Sequence, residues 1–254
     1  MAAPSERRAL ITGGAGGVGA AVARGLARTG YHVVITDLDP DACAALAAEI
    51  AQDGGSAEGA GLNVTDRAAV DALFAEQDAK GGIDTLVTSA AIVKPAPILD
   101  FDPDDWARIL DVNLTGTFHC CQAAGRRMVQ AGFGRIITIS SVNGQIANSY
   151  RGAYSCTKGG VDMLTRLLAA ELGASGVTAN AVAPTPVDTP MILQVHGAQD
   201  RKRWTDQIPA ARYAQPEEVA AAVAFLASEE AAYVNGHILN LDGGFMASGI
   251  LLDR

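Results

Sequence analysis

The chain is poor in the residues that mark metal proteins, disulfide scaffolds and nucleic-acid binders. Only 4 cysteines and 4 histidines occur in 254 residues. Cys43, Cys120, Cys121 and Cys156 form no C-x-x-C pair, and His32, His119, His196 and His237 are equally scattered. This spacing argues for reduced packing thiols and against any metal site. Positive charge is short as well: 19 Lys and Arg against 28 Asp and Glu leave a formal charge of -9. Such a field repels phosphate backbones and anionic lipid, so neither nucleic acid nor membrane is an expected partner. There is no run of about 18 uncharged apolar residues, and the opening MAAPSERRAL has no apolar segment of signal-peptide length. A soluble, cytoplasmic protein is expected. Low-complexity linkers and internal repeats are also missing, so residues 1–254 read as one domain.

What the chain has is alternation. Short β-branched runs (RALIT, HVVIT, AGLNV, DTLVT, RIITIS, VTANAVA and HILNL) are separated by alanine-rich stretches with helical spacing. The stretches GAAVARGLART, DACAALAAEIAQ, RAAVDALFAEQ, DWARILDVNLTGTFHCCQAAGRRMVQ and PEEVAAAVAFLAS predict helices. Strand, helix and strand in repeated succession require crossover connections. The expected fold class is therefore α/β: a seven-stranded, doubly wound parallel sheet with helices on both faces.

TGGAGGVG, residues 12 to 19, closes the first strand and opens the first helix. Gly13, Gly17 and Gly19 let the backbone turn tightly and approach a pyrophosphate, whose charge meets the positive end of the helix dipole. The second strand ends in Asp37, at close to the spacing of about 20 residues at which a carboxylate takes the adenosine ribose hydroxyls. The competing reading makes Asp37 a cap for the next helix, with DLDPD as turn chemistry. A carboxylate at this point repels a 2′-phosphate, and neither Leu38 nor Gly14, Ala15 and Gly16 supplies a compensating cation. NAD is the expected cofactor rather than NADP.

YSCTK places Tyr154 and Lys158 one helical turn apart, on one face of the helix that GGVDMLTRLLAAEL continues. A phenol ionises near pH 10, and an ammonium alongside favours the phenolate. Each unit of lowering reflects about 1.36 kcal/mol, so two to three units need roughly 3 to 4 kcal/mol from a close pair out of bulk water.

Taken together, TGGAGGVG, the Asn in DVNLTG, the Ser in ISSVNG, YSCTK, NAVAP and DTPM resemble the short-chain dehydrogenase/reductase family in order and spacing, from about Ala9 to about Met246. The resemblance implies a single Rossmann domain and a catalytic set of Asn113, Ser141, Tyr154 and Lys158. Tyr154 is the acid/base and Ser141, about 13 residues before it, steadies the reacting oxygen; Ser140, on the opposite face of its strand, is structural. Asn113 holds a water that links Lys158 to solvent, the competing reading being a buried, internally satisfied amide. The implied cofactor-binding residues are Gly13, Gly16, Gly17, Val18, Gly19, Asp37, Leu38, Asn63, Val64, Ser89, Ala90, Ala91, Tyr154, Lys158, Pro184, Val187 and Thr189. Lys158 binds the nicotinamide ribose and Thr189 the carboxamide.

The chain departs from the family pattern at three points. TSAA, with Ser89, stands for N-N-A-G; Asn63 stands for an Asp and meets adenine through its amide oxygen; Pro184-Thr185 stands for P-G. The polar stretch around residues 188–212 is expected to be a mobile lid, and Arg201, Lys202 and Arg203 within it a solvated face rather than an anion trap. Lys94, Asn143, Gln145, Ile146, Thr185, Met191, Ile192 and Trp204 are candidate pocket positions. The implied function is NAD-dependent interconversion of a secondary alcohol and its ketone, the weak preference being a small polar alcohol. The alternatives are an NADPH-dependent 3-oxoacyl-thioester reductase and a non-catalytic dinucleotide-binding protein. A homotetramer is implied through helices near residues 105–131 and 152–173.

Overall fold

The computed structural model describes residues 7–249; the outermost residues of the expected domain, 1–6 and 250–254, lie outside the described residues. A 7-stranded sheet has the order β3-β2-β1-β4-β5-β6-β7, with every pairing parallel. Its strands are β1 (Arg8–Thr12), β2 (His32–Asp37), β3 (Ser56–Gly61), β4 (Thr85–Thr88), β5 (Gly134–Ile139), β6 (Val177–Pro184) and β7 (Ile238–Leu241).

Pleating divides each central strand between two cores. On β1, Ile11 packs into the core beneath α1 (Gly17–Arg28), α2 (Pro40–Gln52) and α9 (Pro216–Ala227), while its neighbour Leu10 enters the other. That second core lies beneath α3 (Arg67–Ala79), α5 (Gly116–Ala131) and α6 (Gly152–Leu172). Ile35 and Val34 on β2, and Ile137 and Ile136 on β5, divide in the same way. A strand buried on both faces needs apolar residues at odd and even positions alike, which explains the unbroken runs of β1, β2 and β5. The order reverses between β1 and β4, and this switch point opens a crevice at the carboxyl ends of the strands.

Three local expectations are corrected. The third strand is SAEGAG rather than AGLNV. It is a sheet edge with little β propensity, paired along its length to β2, and Gly59 lets α2 lie against it: a Cβ there would stand 2.6 Å from the Cys43 carbonyl carbon. The long helix from residue 105 to 130 is broken into α4 (Pro103–Leu110), a π-helical turn at Asp111–Thr115, and α5. The expected lid is not a loop but two short helices, α7 (Pro190–Val195) and α8 (Ala198–Gln207). Both oxygens of Asp188 take 2.7 Å bonds from Arg201, and Trp204 packs on Phe245. Among the described residues no helix is long and apolar enough to cross a membrane, and no three His, Cys, Asp or Glu side chains gather as a metal site.

Helix starts are capped by side chains where the chain supplies them. Asp39 accepts from the amides of Asp41 and Ala42 at the head of α2, and Asp102 from those of Asp104 and Asp105 at the head of α4. At α9, Glu218 accepts from the Gln215 amide at 2.7 Å and from both guanidinium nitrogens of Arg212, which holds its carboxyl at about 2. A depressed carboxyl stabilises the fold above its unfolded value, and this contribution is lost as the pH falls toward 2. Glu218→Gln is expected to cost about 1 kcal/mol at pH 7. Urea denaturation should show that deficit shrinking as the pH drops below about 4, where wild-type Glu218 gains its unfolded-state proton.

Candidate active site

The crevice at the switch point is a cleft of about 460 Å³. The glycine loop forms one wall. Gly13 has φ 63, and its backbone crosses the start of α1 so closely that a Cβ on Gly19 would collide with the Gly13 carbonyl oxygen. A Cβ on Gly17 would stand 2.7 Å from Thr189 Cγ2. Unlike α2 and α4, α1 begins with no side-chain cap and no acidic residue in its first turn. Its first amides and dipole are therefore left for an anion brought from outside, lying in a groove that only glycine keeps open. At the end of β2, Asp37 accepts from Ala15 N at 3.2 Å and Leu38 N at 2.8 Å. Capping of α2 falls to Asp39, which removes the competing reading of Asp37. This chemistry fits a dinucleotide, and each residue expected to hold one lines this cleft, from Gly13 and Gly16 to Val187 and Thr189.

The reactive side chains sit on the facing wall. Ser141 lies two residues past β5, with its Oγ accepting from Asn143 N at 3.2 Å and Nδ2 at 3.3 Å. Tyr154 stands in the first turn of α6 and Lys158 one turn on, with Lys158 Nζ 5.6 Å from the phenol ring centre. Ser140 is buried and reaches the Lys158 carbonyl at 3.4 Å, a structural bond as expected. One electrostatic expectation is corrected. The Tyr154 phenol lies above its ordinary value in the protein alone, because burial outweighs the pull of the Ser141 hydroxyl and the Arg151 charge. Lys158 is buried too; its ammonium is spent on the Ile139 carbonyl at 2.6 Å rather than on the phenol, and burial brings it down to about 8 against the pull of Asp162.

Asn113 does not line the cleft. It is fully buried in the π-helical turn, where its amide clasps the Ile92 backbone, accepting from N at 2.8 Å and donating to O at 2.9 Å, with Thr157 Oγ1 at 3.3 Å. The side-chain amide is thereby satisfied within the protein. Asn63 is also corrected: its amide oxygen is occupied by the N and Oγ1 of Thr65, which leaves the NH₂ group for any contact with a base. At the departure from the family asparagine, the Ser89 amide donates to Thr12 O at 3.1 Å and Thr12 Oγ1 at 3.2 Å.

Of the candidate pocket positions, Asn143, Thr185, Ile192 and Trp204 line the cleft. Lys94 is instead ion-paired with Asp105, Gln145 donates to Asn240 at 2.6 Å, and Ile146 is not among the lining residues. The Met191 side chain lies outside the described residues. Arg201, Lys202 and Arg203 pair with Asp188, Asp206 and Asp200, as a solvated charged face should. Arg151 and His196, which line the cleft beside Tyr154, were not foreseen from the sequence. His196 carries no periodic signal, and Arg151 reads as an ordinary residue before a helix.

Burial of Lys158 sets up a conflict between stability and charge. A lysine whose folded value lies near 8, below its ordinary 10.5, costs stability wherever it is charged, and that cost is relieved as the pH rises from about 8 toward 10.5. Lys158→Met is expected to raise stability at pH 7, by up to about 3 kcal/mol, and to flatten the rise of stability above pH 8. Chemical denaturation of both proteins at pH 7 and pH 9.5 measures this. A variant less stable than wild type at pH 7 contradicts it.

A family profile described as enoyl-(acyl carrier protein) reductase matches residues 13–246. The chain is 41% identical to D-threitol dehydrogenase of Mycolicibacterium smegmatis over 93% of its length and 92% of the relative. It is 39% identical to a 3-oxoacyl-[acyl-carrier-protein] reductase of Synechocystis, over 97% of this chain and 99% of the relative. A gluconate 5-dehydrogenase of Burkholderia cenocepacia, solved in complex with NADP and tartrate, superposes with a TM-score of 0.92 at 39% identity, covering 96% of each chain. With the glycine-crossed loop, the seven-stranded order and the serine, tyrosine and lysine gathered on one cleft, these matches identify the chain as a member of the short-chain dehydrogenase/reductase family.

Proposed function

We propose that the protein is an NAD(H)-preferring oxidoreductase that interconverts a secondary alcohol and its ketone. The observation that carries this reading is the convergence of Ser141, Tyr154 and Lys158 on the same cleft as the Gly13–Gly19 loop and Asp37. When bound, the dinucleotide supplies the acceptor or donor of hydride at the reacting carbon. In the oxidative direction Tyr154, as phenolate, accepts the alcohol proton at its hydroxyl oxygen, and in reduction it returns that proton to the ketone oxygen. Ser141 donates to the same oxygen and steadies the charge that develops there. Lys158 supplies positive potential one turn from the phenol and would hold the nicotinamide ribose hydroxyls. Asn113 acts by holding the Ile92 backbone in place. Thr189 closes the cleft over Gly17.

The cofactor preference rests on Asp37. Its carboxylate occupies the end of β2 where a 2′-phosphate needs a cation, and the cations that line the cleft, Arg151 and Lys158, belong to the Tyr154 wall. The gluconate 5-dehydrogenase holds NADP, and likeness to the 3-oxoacyl reductase of Synechocystis supports a second reading, reduction of a 3-oxoacyl thioester with NADPH. Steady-state assays with a panel of secondary alcohols and with acetoacetyl-CoA separate the two. The expected outcome is a kcat/KM at least tenfold higher with NAD than with NADP, a margin that Asp37→Ser narrows. Tyr154→Phe should lower turnover on the order of 10²-fold or more. Full activity of that variant, or a preference for NADPH and the thioester, contradicts the reading.

The proposal extends to a homotetramer built on α5 and α6, supported by the exposed Phe118, Met163 and Leu167 on those helices. Light scattering should return about four times the chain mass for the wild type and a smaller particle for Leu167→Glu.

A further inference from the structure

Arg151 is hard to explain by the stability of the fold. It occupies the N-cap position of α6, where a positive charge opposes the helix dipole, and its side chain makes no capping bond. Tyr150 before it has φ 63, a conformation costly for a bulky residue and one that sets the direction in which the chain enters the helix. Arg151 is half-buried and lines the cleft on the same wall as Tyr154.

Its partners are incomplete. Nη2 lies 3.0 Å from His196 Nε2. Arginine has no acceptor, so this nitrogen of His196 carries the lone pair, and the proton sits on Nδ1, which faces the Tyr213 hydroxyl at 2.9 Å. Burial and the Arg151 charge both lower the His196 titration, which keeps the ring neutral. Arg151 Nη1 is buried with no hydrogen-bond partner at all. No carboxylate among the described residues comes within ion-pairing distance of the group: Asp188 is taken by Arg201, Asp200 by Arg203 and Asp105 by Lys94. A half-buried guanidinium whose one hydrogen-bond partner is a neutral ring, on the wall of the cleft beside Tyr154, keeps donors available for an anionic acceptor that a ligand brings.

We propose that Arg151, oriented by His196, is a carboxylate subsite, so that the alcohol oxidised by this protein is a hydroxy acid and the ketone a keto acid. This rests on the reading under Proposed function and deepens it. A carboxylate offers two coplanar oxygens to the guanidinium edge, and the neutral His196 adds no charge that would call for a dianion. The tie to His196 and Tyr213 holds the guanidinium plane still, so the bound acid presents its hydroxyl to Tyr154 in one orientation.

The test compares matched substrates in which the carboxylate is replaced by the neutral amide: 3-hydroxybutyrate with 3-hydroxybutyramide, and glycerate with glyceramide. Each is assayed with NAD and the full-length wild type, Arg151→Gln and Arg151→Lys. The expected result is a kcat/KM for the acid at least tenfold above that for its neutral counterpart in one pair or both. Arg151→Gln should reduce that ratio at least tenfold, through KM more than kcat, and Arg151→Lys should restore part of it. Circular dichroism and NAD binding by fluorescence check that the variants are folded. Should Arg151→Gln fail to fold, the wild-type and Arg151→Lys ratios decide. Equal or better use of the neutral member in both pairs overturns the proposal, as does a ratio that Arg151→Gln leaves unchanged. If no acid is turned over while other neutral secondary alcohols are, the carboxylate subsite falls and the alcohol dehydrogenase reading stands. Absence of turnover with every alcohol overturns that reading too.

Discussion

Removal of Lys158 from water is the constraint around which the reactive wall is arranged. The ammonium is buried between β5 and α6, held by the Ile139 carbonyl and drawn down to about 8, with its Nζ 5.6 Å from the centre of the phenol ring one turn before it. In water such a charge is screened; in the cleft it acts at low dielectric on whatever enters. The same burial raises the phenol of Tyr154, so the protein alone does not favour the phenolate.

The sheet makes that arrangement possible by presenting all the parts at one edge. β1, β2, β4, β5 and β6 end on the same side of a parallel sheet, and the reversal of order between β1 and β4 separates their following segments enough to leave a crevice. Gly13 and Gly19 then allow loop and helix to cross without a side chain between them, while Thr189 comes back from β6 to cover Gly17. The wall opposite, which carries Ser141, Tyr154 and Lys158, is backed by residues that do not themselves line the cleft. Asn113 spends its amide on the Ile92 backbone, and the π-helical turn that carries it is the irregularity that aims it there.

The cleft is electrically asymmetric. Asp37 puts negative charge at one end, and Lys158 with Arg151 puts positive charge at the other. A cofactor with an unphosphorylated ribose and an acidic substrate would together meet both demands, which links the proposed preference for NAD to the proposed preference for an acid.

The sequence by itself determined the alternation of strand and helix, the double burial of the central strands, the glycine loop, Asp37 and the one-turn spacing of Tyr154 and Lys158. Each of these is a local property: a two-residue or 3.6-residue period, a turn that only glycine permits, or a side chain at a strand end. It misplaced β3, because an edge strand of small residues has no pattern of its own and is defined by its neighbour, and it missed the helices over 190–207, whose polar surface carries little apolar period. Only the tertiary structure decided that Asn63 caps its own turn, that Asn113 serves the backbone, and that Arg151 meets His196 across 45 residues of chain with one nitrogen left bare. Those outcomes depend on which groups lose water together, and desolvation belongs to the packed molecule rather than to any stretch of its sequence.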